Sequence, residues 1–413
     1  MTEQAKNVAD AKVVKTLLSL KQVTSFFQPI ISIASRGVIG FEAFSRPVGE
    51  YSGIDTRMLF DGGLGSDVML EMDRLCRMTA LRQFKPIHDR HKGMLLFLKV
   101  NAQSLPLLDP NRLVLLDQLK EAGVDVGAVA PELPLVPEHL DQIVPLFGKL
   151  REMGVRVCLD NCALDAAVSY ALNLLRPDFV KLNRSFFGDG VNAQHAGATL
   201  AGAVSQANRI GAQVIAQGVE TEDESVRLLA AGINLQQGFF YSKDEGTKPD
   251  DTPKLLREKI DRVNRRFQEA RQQTIRRKKE GFADAFSRAG KVVIKLSNVP
   301  EDRFDEVCRS VVGRDNGPIS VFVLDERGVQ LTERVCAGES CVFGSNGAIY
   351  GSQRGADHSS QDYALYIEMG YNQFVTPPFT SVVTGGRACL ISKPFFNTQG
   401  VRFTMCLEMP YPG

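Results

Sequence analysis

The chemistry-bearing residues of this 413-residue chain are those that interrupt or end its apolar runs. Glu42 sits inside Val38-Ile39-Gly40-Phe41-Glu42-Ala43-Phe44. A carboxylate there is costly unless it meets a cation or lies on a strand edge that faces water. Asn101 closes the run Met94 to Val100, Glu132 precedes Leu133-Pro134, and Asp160 closes Val155 to Leu159. Lys181, Gln217 or Glu220, and Gln237 stand at the ends of three further short runs. Glu42, Asn101, Glu132 and Asp160 offer four oxygen ligands, a set suited to a hard cation such as Mg²⁺, Mn²⁺ or Ca²⁺. Taken singly, each is equally well a polar strand end facing solvent.

Such residues act together only if a scaffold gathers the strand ends. Phe27-Gln28-Pro29-Ile30-Ile31-Ser32-Ile33 and Val38 to Phe44 read as adjacent extended segments, with Gly37 at the return. Phe179 to Leu182 and Gln213 to Ala216 read as two more strands. Leu140 to Met153 carries apolar residues at helical spacing and is closed by Gly154, and residues 11 to 22 repeat that pattern through Val13, Val14, Leu17 and Leu18. Strand–helix alternation from residue 26 to about 243 predicts an α/β fold with a parallel sheet, either a (β/α)₈ barrel or a doubly wound sheet. In a barrel, the C-terminal strand ends share one face.

Beyond residue 250 the pattern changes. Leu256, Ile260, Val263, Phe267 and Ala270 recur at helical spacing among dense basic residues, which predicts one long connecting helix over 250–290. It suits a solvated spacer, a dimer helix or a contact patch for an anion. Val292 to Leu296, Ser320 to Leu324, Ala388 to Ser392 and Arg402 to Leu407 read as strands of a further region.

Formal net charge is +1, with 44% hydrophobic and 23% charged residues, as in a soluble globular protein. No global field steers DNA. No apolar run approaches the ~18 residues of a membrane span, and the mixed-charge Met1 to Asp10 is not a secretory signal. Eight scattered cysteines without a Cys-x-x-Cys pair predict a cytoplasmic protein with free thiols and no structural disulfide.

Gln28-Pro29-Ile30 followed by Gly40-Phe41-Glu42-Ala43-Phe44-Ser45-Arg46 resembles the opening of the EAL domain, the cyclic di-GMP phosphodiesterase family, with Phe44 in place of the signature Leu. Further pieces follow in family order: Val100-Asn101-Ala102-Gln103-Ser104, Glu132-Leu133-Pro134, Leu159-Asp160-Asn161, Val180-Lys181-Leu182-Asn183, Ala216-Gln217-Gly218-Val219-Glu220-Thr221 and Gln236-Gln237-Gly238-Phe239. The resemblance implies a (β/α)₈ TIM-type barrel that takes cyclic di-GMP, with Gln28, Arg46 and Gln237 on the nucleotide. It implies Glu42, Asn101, Glu132 and Asp160 on a metal, and Lys181 and Glu220 as catalytic residues. It also implies a homodimer, to which Leu256, Ile260, Val263 and Phe267 would add. The stretch Tyr363 to Phe395 is similar to PAS/Cache-type sensor domains. The implied domains are a barrel over 1–249, a helical linker over 250–290 and a PAS-like α/β domain over 291–413.

Departures from the family pattern bear on activity. Asn161 and Gln217 are neutral where the family has an Asp and a Glu, Leu135 and Asn183 replace two more acids, and the loop 161–165 is rewritten. A two-metal hydrolase needs both cations, whereas this set serves a divalent cation at one site or at none. The expectation is a cyclic di-GMP receptor with absent or very slow hydrolysis, coupled to a sensory domain and to a downstream protein. The alternatives are a weakly active metal-dependent phosphodiesterase and a nucleotide-independent scaffold.

Overall fold

Strand β1 (Val23–Ser32) turns back through a tight loop into β2 (Gly37–Pro47), and the pair opens the first of two units into which the chain divides, Met1–Glu269 and Ala270–Gly413. The computed structural model describes residues 3–54, 65–101, 113–135, 139–160, 166–188, 193–242, 252–312, 317–336 and 354–412. Helix α1 (Glu3–Leu20) precedes the hairpin. There follow α2 (Ser66–Arg90), β3 (Leu95–Lys99), α3 (Val114–Ala122), β4 (Val129–Pro134), α4 (Leu140–Glu152) and β5 (Cys158–Asp160). The unit continues through α5 (Ala166–Leu175), β6 (Phe179–Leu182), α6 (Ala193–Ile210), β7 (Gln213–Gln217), α7 (Glu222–Ala230) and β8 (Leu235–Gln237).

The eight strands close into a barrel in chain order. Neighbours from β2 to β8 are parallel, while β1 runs antiparallel to both β2 and β8. This is the barrel expected from the sequence, with one reversed strand. The β5 segment is shorter than the predicted Val155–Asp160 run, because only its last three residues find strand partners.

Period-two alternation sets what fills the barrel. Ile30, Phe97, Ala130, Cys158, Phe179, Ile215 and Leu235 come from seven different strands and form one buried cluster. On β2 the matching position is Gly40, where a Cβ would stand 2.5 Å from the Leu95 carbonyl oxygen. Glycine is required there because β2 and β3 approach too closely for a side chain. Outside the strands, α4, α5 and α6 pack around Leu133, Leu159 and Val180. Val14 and Leu17 of α1 pack against Met69, Met72 and Cys76 of α2.

Helix α8 (Thr252–Ser297) is 46 residues long, and the division between the units falls inside it. Leu256, Ile260 and Val263 are buried in the barrel unit's own core. Three of the four residues read as a dimer seam are therefore spent within the chain, while Phe267 is half-buried. The predicted strand Val292–Leu296 is the end of α8. Its β-branched residues are overruled by the spacing of Ala285, Ala289, Val292 and Leu296, which form a buried helical face.

The second unit pairs that face and α9 (Phe304–Val311) with an antiparallel sheet. Strands β9 (Ser320–Leu324), β10 (Val335–Cys336), β11 (Phe374–Val375), β13 (Arg387–Phe396) and β14 (Arg402–Pro410) run in the order β10-β9-β14-β13-β11, and β12 (Phe379–Thr380) pairs with β13. Cys336 is disulfide-bonded, against the expectation of free thiols, and its partner lies outside the described residues. The spacing of the cysteines carried no sign of this bond. Cys76, Cys158, Cys308, Cys389 and Cys406 are free and buried. No helix among the described residues is long and apolar enough to cross a membrane.

Candidate functional site

One alternation step beyond the apolar plug, each strand presents a polar residue. Two residues on from Gly40, Phe97, Ala130, Cys158, Phe179, Ile215 and Leu235 stand Glu42, Lys99, Glu132, Asp160, Lys181, Gln217 and Gln237. On the reversed β1 the step runs backwards from Ile30 to Gln28, which is paired with Glu42 in register. A closed barrel thus converts eight separate strand ends into one polar layer above an apolar floor.

Lys181 is at the centre of this layer and has no solvent exposure. Its Nζ donates to Glu42 Oε2 at 2.7 Å and to Glu132 Oε1, and it stands 5.5 Å from the Phe97 ring centroid. Gln237 Nε2 donates to the same Glu42 Oε2 at 2.7 Å and to Gln28 Oε1 at 2.9 Å, while Gln28 Nε2 reaches the Ser242 carbonyl at 3.2 Å. A second ammonium lies at the outer edge. Lys99 Nζ is 3.4 Å from Glu42 Oε1 and 3.2 Å from Asp160 Oδ2.

The two Glu residues are driven apart electrostatically. Burial works against ionising Glu42, but Lys181 and Lys99 outweigh it and hold the carboxyl down to about 2. Burial and the Glu42 charge together push Glu132 up to about 8, against the pull of Lys181. Despite burial, Glu132 and Glu42 keep Lys181 charged far above its usual range, and Glu42 and Asp160 do the same for Lys99. At neutral pH Glu42 is therefore a carboxylate and Glu132 a carboxylic acid, beside the two ammonium groups of Lys181 and Lys99.

The remaining expected residues are placed as follows. Arg46 is half-buried at the end of β2, its guanidinium 6.0 Å from the Phe44 ring centroid, and it lines a cleft with Phe44, Arg77 and Lys99. The aromatic ring in the signature Leu slot thus backs the arginine. Asn101 lies two residues beyond β3 and is half-buried. Gln217 ends β7 opposite Gln237. Glu220 is exposed and pairs with Arg184 at 2.8 Å, beside the Thr221–Glu224 capping box of α7, so it belongs to the rim. Gly238 lets the loop after β8 fold onto Val219, since a Cβ would lie 2.2 Å from the Val219 nitrogen. Asn161 and the rest of the loop 161–165 lie outside the described residues.

Lys99 is the residue that sequence reasoning missed. The signal is the alternation Leu95, Phe97, Lys99, which puts Lys99 inward two residues before Asn101. Its presence decides how the expected ligand set stands. Among the described residues, no three His, Cys, Asp or Glu side chains gather as a metal-holding group. With both lysines in place the set does not fit a divalent ion, because Glu42, Glu132 and Asp160 turn their oxygens to ammonium groups.

The sequence family described as the EAL domain matches residues 11–244, more than half of the chain. The chain belongs to the EAL domain family. Among curated relatives, this EAL protein is 25% identical over 256 residues to "Probable cyclic di-GMP phosphodiesterase PdeI" of Escherichia coli K12, an alignment covering 59% of this chain and 32% of that one. It is 26% identical over 230 residues to the cyclic di-GMP phosphodiesterase NbdA of Pseudomonas aeruginosa, covering 54% and 29%. The chain thus spans about a third of the length of these relatives. In fold it is similar to the Bacillus subtilis YkuI protein, an EAL-domain structure in complex with c-di-GMP and calcium, with a TM-score of 0.75 at 18% identity. That likeness covers 97% of this chain and 99% of the other, and so includes the second unit. The Xanthomonas citri FimX EAL domain in complex with c-diGMP matches with a TM-score of 0.52 at 19% identity, over 58% of this chain and 95% of that one.

Proposed function

We propose that this EAL protein is a cyclic di-GMP receptor whose barrel holds the nucleotide and hydrolyses it slowly or not at all. The observation that carries the reading is the engagement of Glu42 and Asp160 by the Lys99 ammonium, in a layer where Lys181 already bonds Glu42 and Glu132. Carboxylates committed to a resident ammonium are not free to assemble the two-cation arrangement that activates water and stabilises a leaving oxygen. Gln217 in place of a carboxylate points the same way. Binding needs less. Two phosphodiester charges meet Arg46 and Lys99 in the adjacent cleft, and Arg46 can bond a phosphate through two donors. The curated relatives named as cyclic di-GMP phosphodiesterases support the choice of nucleotide. Coupling to the sheet domain, a homodimer and a downstream protein partner complete the reading.

The test is calorimetric titration of cyclic di-GMP in chelator and in Mg²⁺ or Mn²⁺, with chromatography of the products. Binding without turnover is expected. Turnover at about 1 s⁻¹ or faster would favour the phosphodiesterase, and no binding at millimolar nucleotide would favour the scaffold.

A further inference from the structure

We infer that Lys99 is a built-in cation that takes the place of a divalent ion at the barrel mouth, so that the wild-type layer excludes metal and removal of the Lys99 charge admits it. The geometry is specific. Lys99 Nζ bridges Glu42 Oε1 and Asp160 Oδ2 at 3.4 and 3.2 Å. Those spacings suit an ammonium group. A divalent ion draws its oxygens in to about 2.0–2.6 Å, so it would have to displace the Lys99 head to use either carboxylate.

The same layer holds two buried oxygens whose hydrogen-bonding capacity is unused. Glu132 Oε2 and Gln237 Oε1 are buried and have no hydrogen-bond partner. Such atoms are costly to leave unmet. Lys181 already bonds the other oxygen of Glu132, and Gln237 has spent both its donated bonds on Glu42 and Gln28. Without the Lys99 charge, Glu42 Oε1 and Asp160 Oδ2, which now flank one ammonium group, are left as hard oxygen donors facing one ion position. The Lys99 head, half exposed, can leave without unpacking the core.

The exchange of cation for ammonium stands by itself. Its meaning for nucleotide binding, that the receptor needs no metal, rests on the function proposed above. The experiment is Mn²⁺ titration of the full chain followed by electron spin resonance, on wild type, Lys99→Met, Lys99→Gln and Lys99→Arg, each checked for fold by circular dichroism. Lys99→Met and Lys99→Gln should each bind one Mn²⁺ about tenfold or more tightly than wild type, and Lys99→Arg should behave as wild type. Adding Glu42→Gln to Lys99→Met should abolish the gain. Micromolar Mn²⁺ binding by wild type overturns the inference, as does failure of both neutral variants to gain a site. Titration of cyclic di-GMP into chelator-treated wild type is read separately. A wild type that binds no nucleotide, beside neutral variants that gain Mn²⁺, would sink the receptor and leave the lysine exchange standing.

Discussion

The Lys181 ammonium lies 2.7 Å from the Glu42 carboxylate, with both side chains shut off from solvent. A buried pair of this kind contributes little net stability compared with a well-packed apolar pair, yet removal of one partner strands the other. Lys181→Met should therefore destabilise the barrel unit by about 3–5 kcal/mol. Urea denaturation followed by circular dichroism measures it. A loss of less than about 1 kcal/mol, the value of an exposed pair, would show that the charges are not buried together.

Stability should depend on pH through Glu132. Its folded value is about 8 against an ordinary 4.5, so between those limits the folded protein holds a proton that the unfolded chain has released. Stability from this group falls as pH rises through that window. Glu42 acts in the opposite sense: its stabilisation is present above about 4.5 and is lost as pH falls toward 2. Glu132 faces Glu42, Asp160, Lys99 and Lys181 within the layer. Glu132→Gln should flatten the decline in melting temperature between pH 5 and 8. An unchanged slope would place the proton elsewhere.

Arg46→Ala should weaken cyclic di-GMP binding by about 1.5–3 kcal/mol, the value of a hydrogen bond to a charged group, without altering the melting temperature. Equal affinity in calorimetry would remove Arg46 from the nucleotide contacts.

Gly40→Ala should cost about 1–3 kcal/mol as an overpacked position, since the added methyl meets the Leu95 backbone. A neutral result in thermal denaturation would mean that β2 and β3 are further apart than described.

Ile260→Ala should destabilise the barrel unit by about 2–5 kcal/mol, because its side chain is fully buried in the core of that unit. Light scattering should show an unchanged mass. Loss of a dimer without loss of stability would return Ile260 to an intermolecular contact.

The barrel was legible because its strands are short apolar runs whose ends carry the polar residues, and this spacing survives in the sequence. The grouping of Glu42, Glu132, Asp160, Lys181 and Gln237 followed from family order. Lys99 escaped because a lysine near the end of an apolar run looks like a solvent-facing charge. Only closure of the barrel turns that position toward Glu42 and Asp160. Val292 to Leu296 escaped for the reverse reason. Its residue types favour a strand, while the helical face that decides its structure begins seven residues earlier at Ala285 and is satisfied only against the sheet. Glu220 was grouped with the catalytic residues by its motif, whereas the α7 cap and Arg184 hold it at the rim.

The reversal of β1 ties the path of the chain to the polar layer. A strand parallel to the others would begin at the far rim. Here β1 begins at the mouth, where Val23 pairs with Pro47 beyond Arg46, and only Lys21 and Gln22 separate it from α1. The same helix rests on Cys76 of α2, which also lines the Arg46–Lys99 cleft. Helix α1 and the cleft therefore share Cys76 as a common neighbour on the side of the barrel where β1 begins.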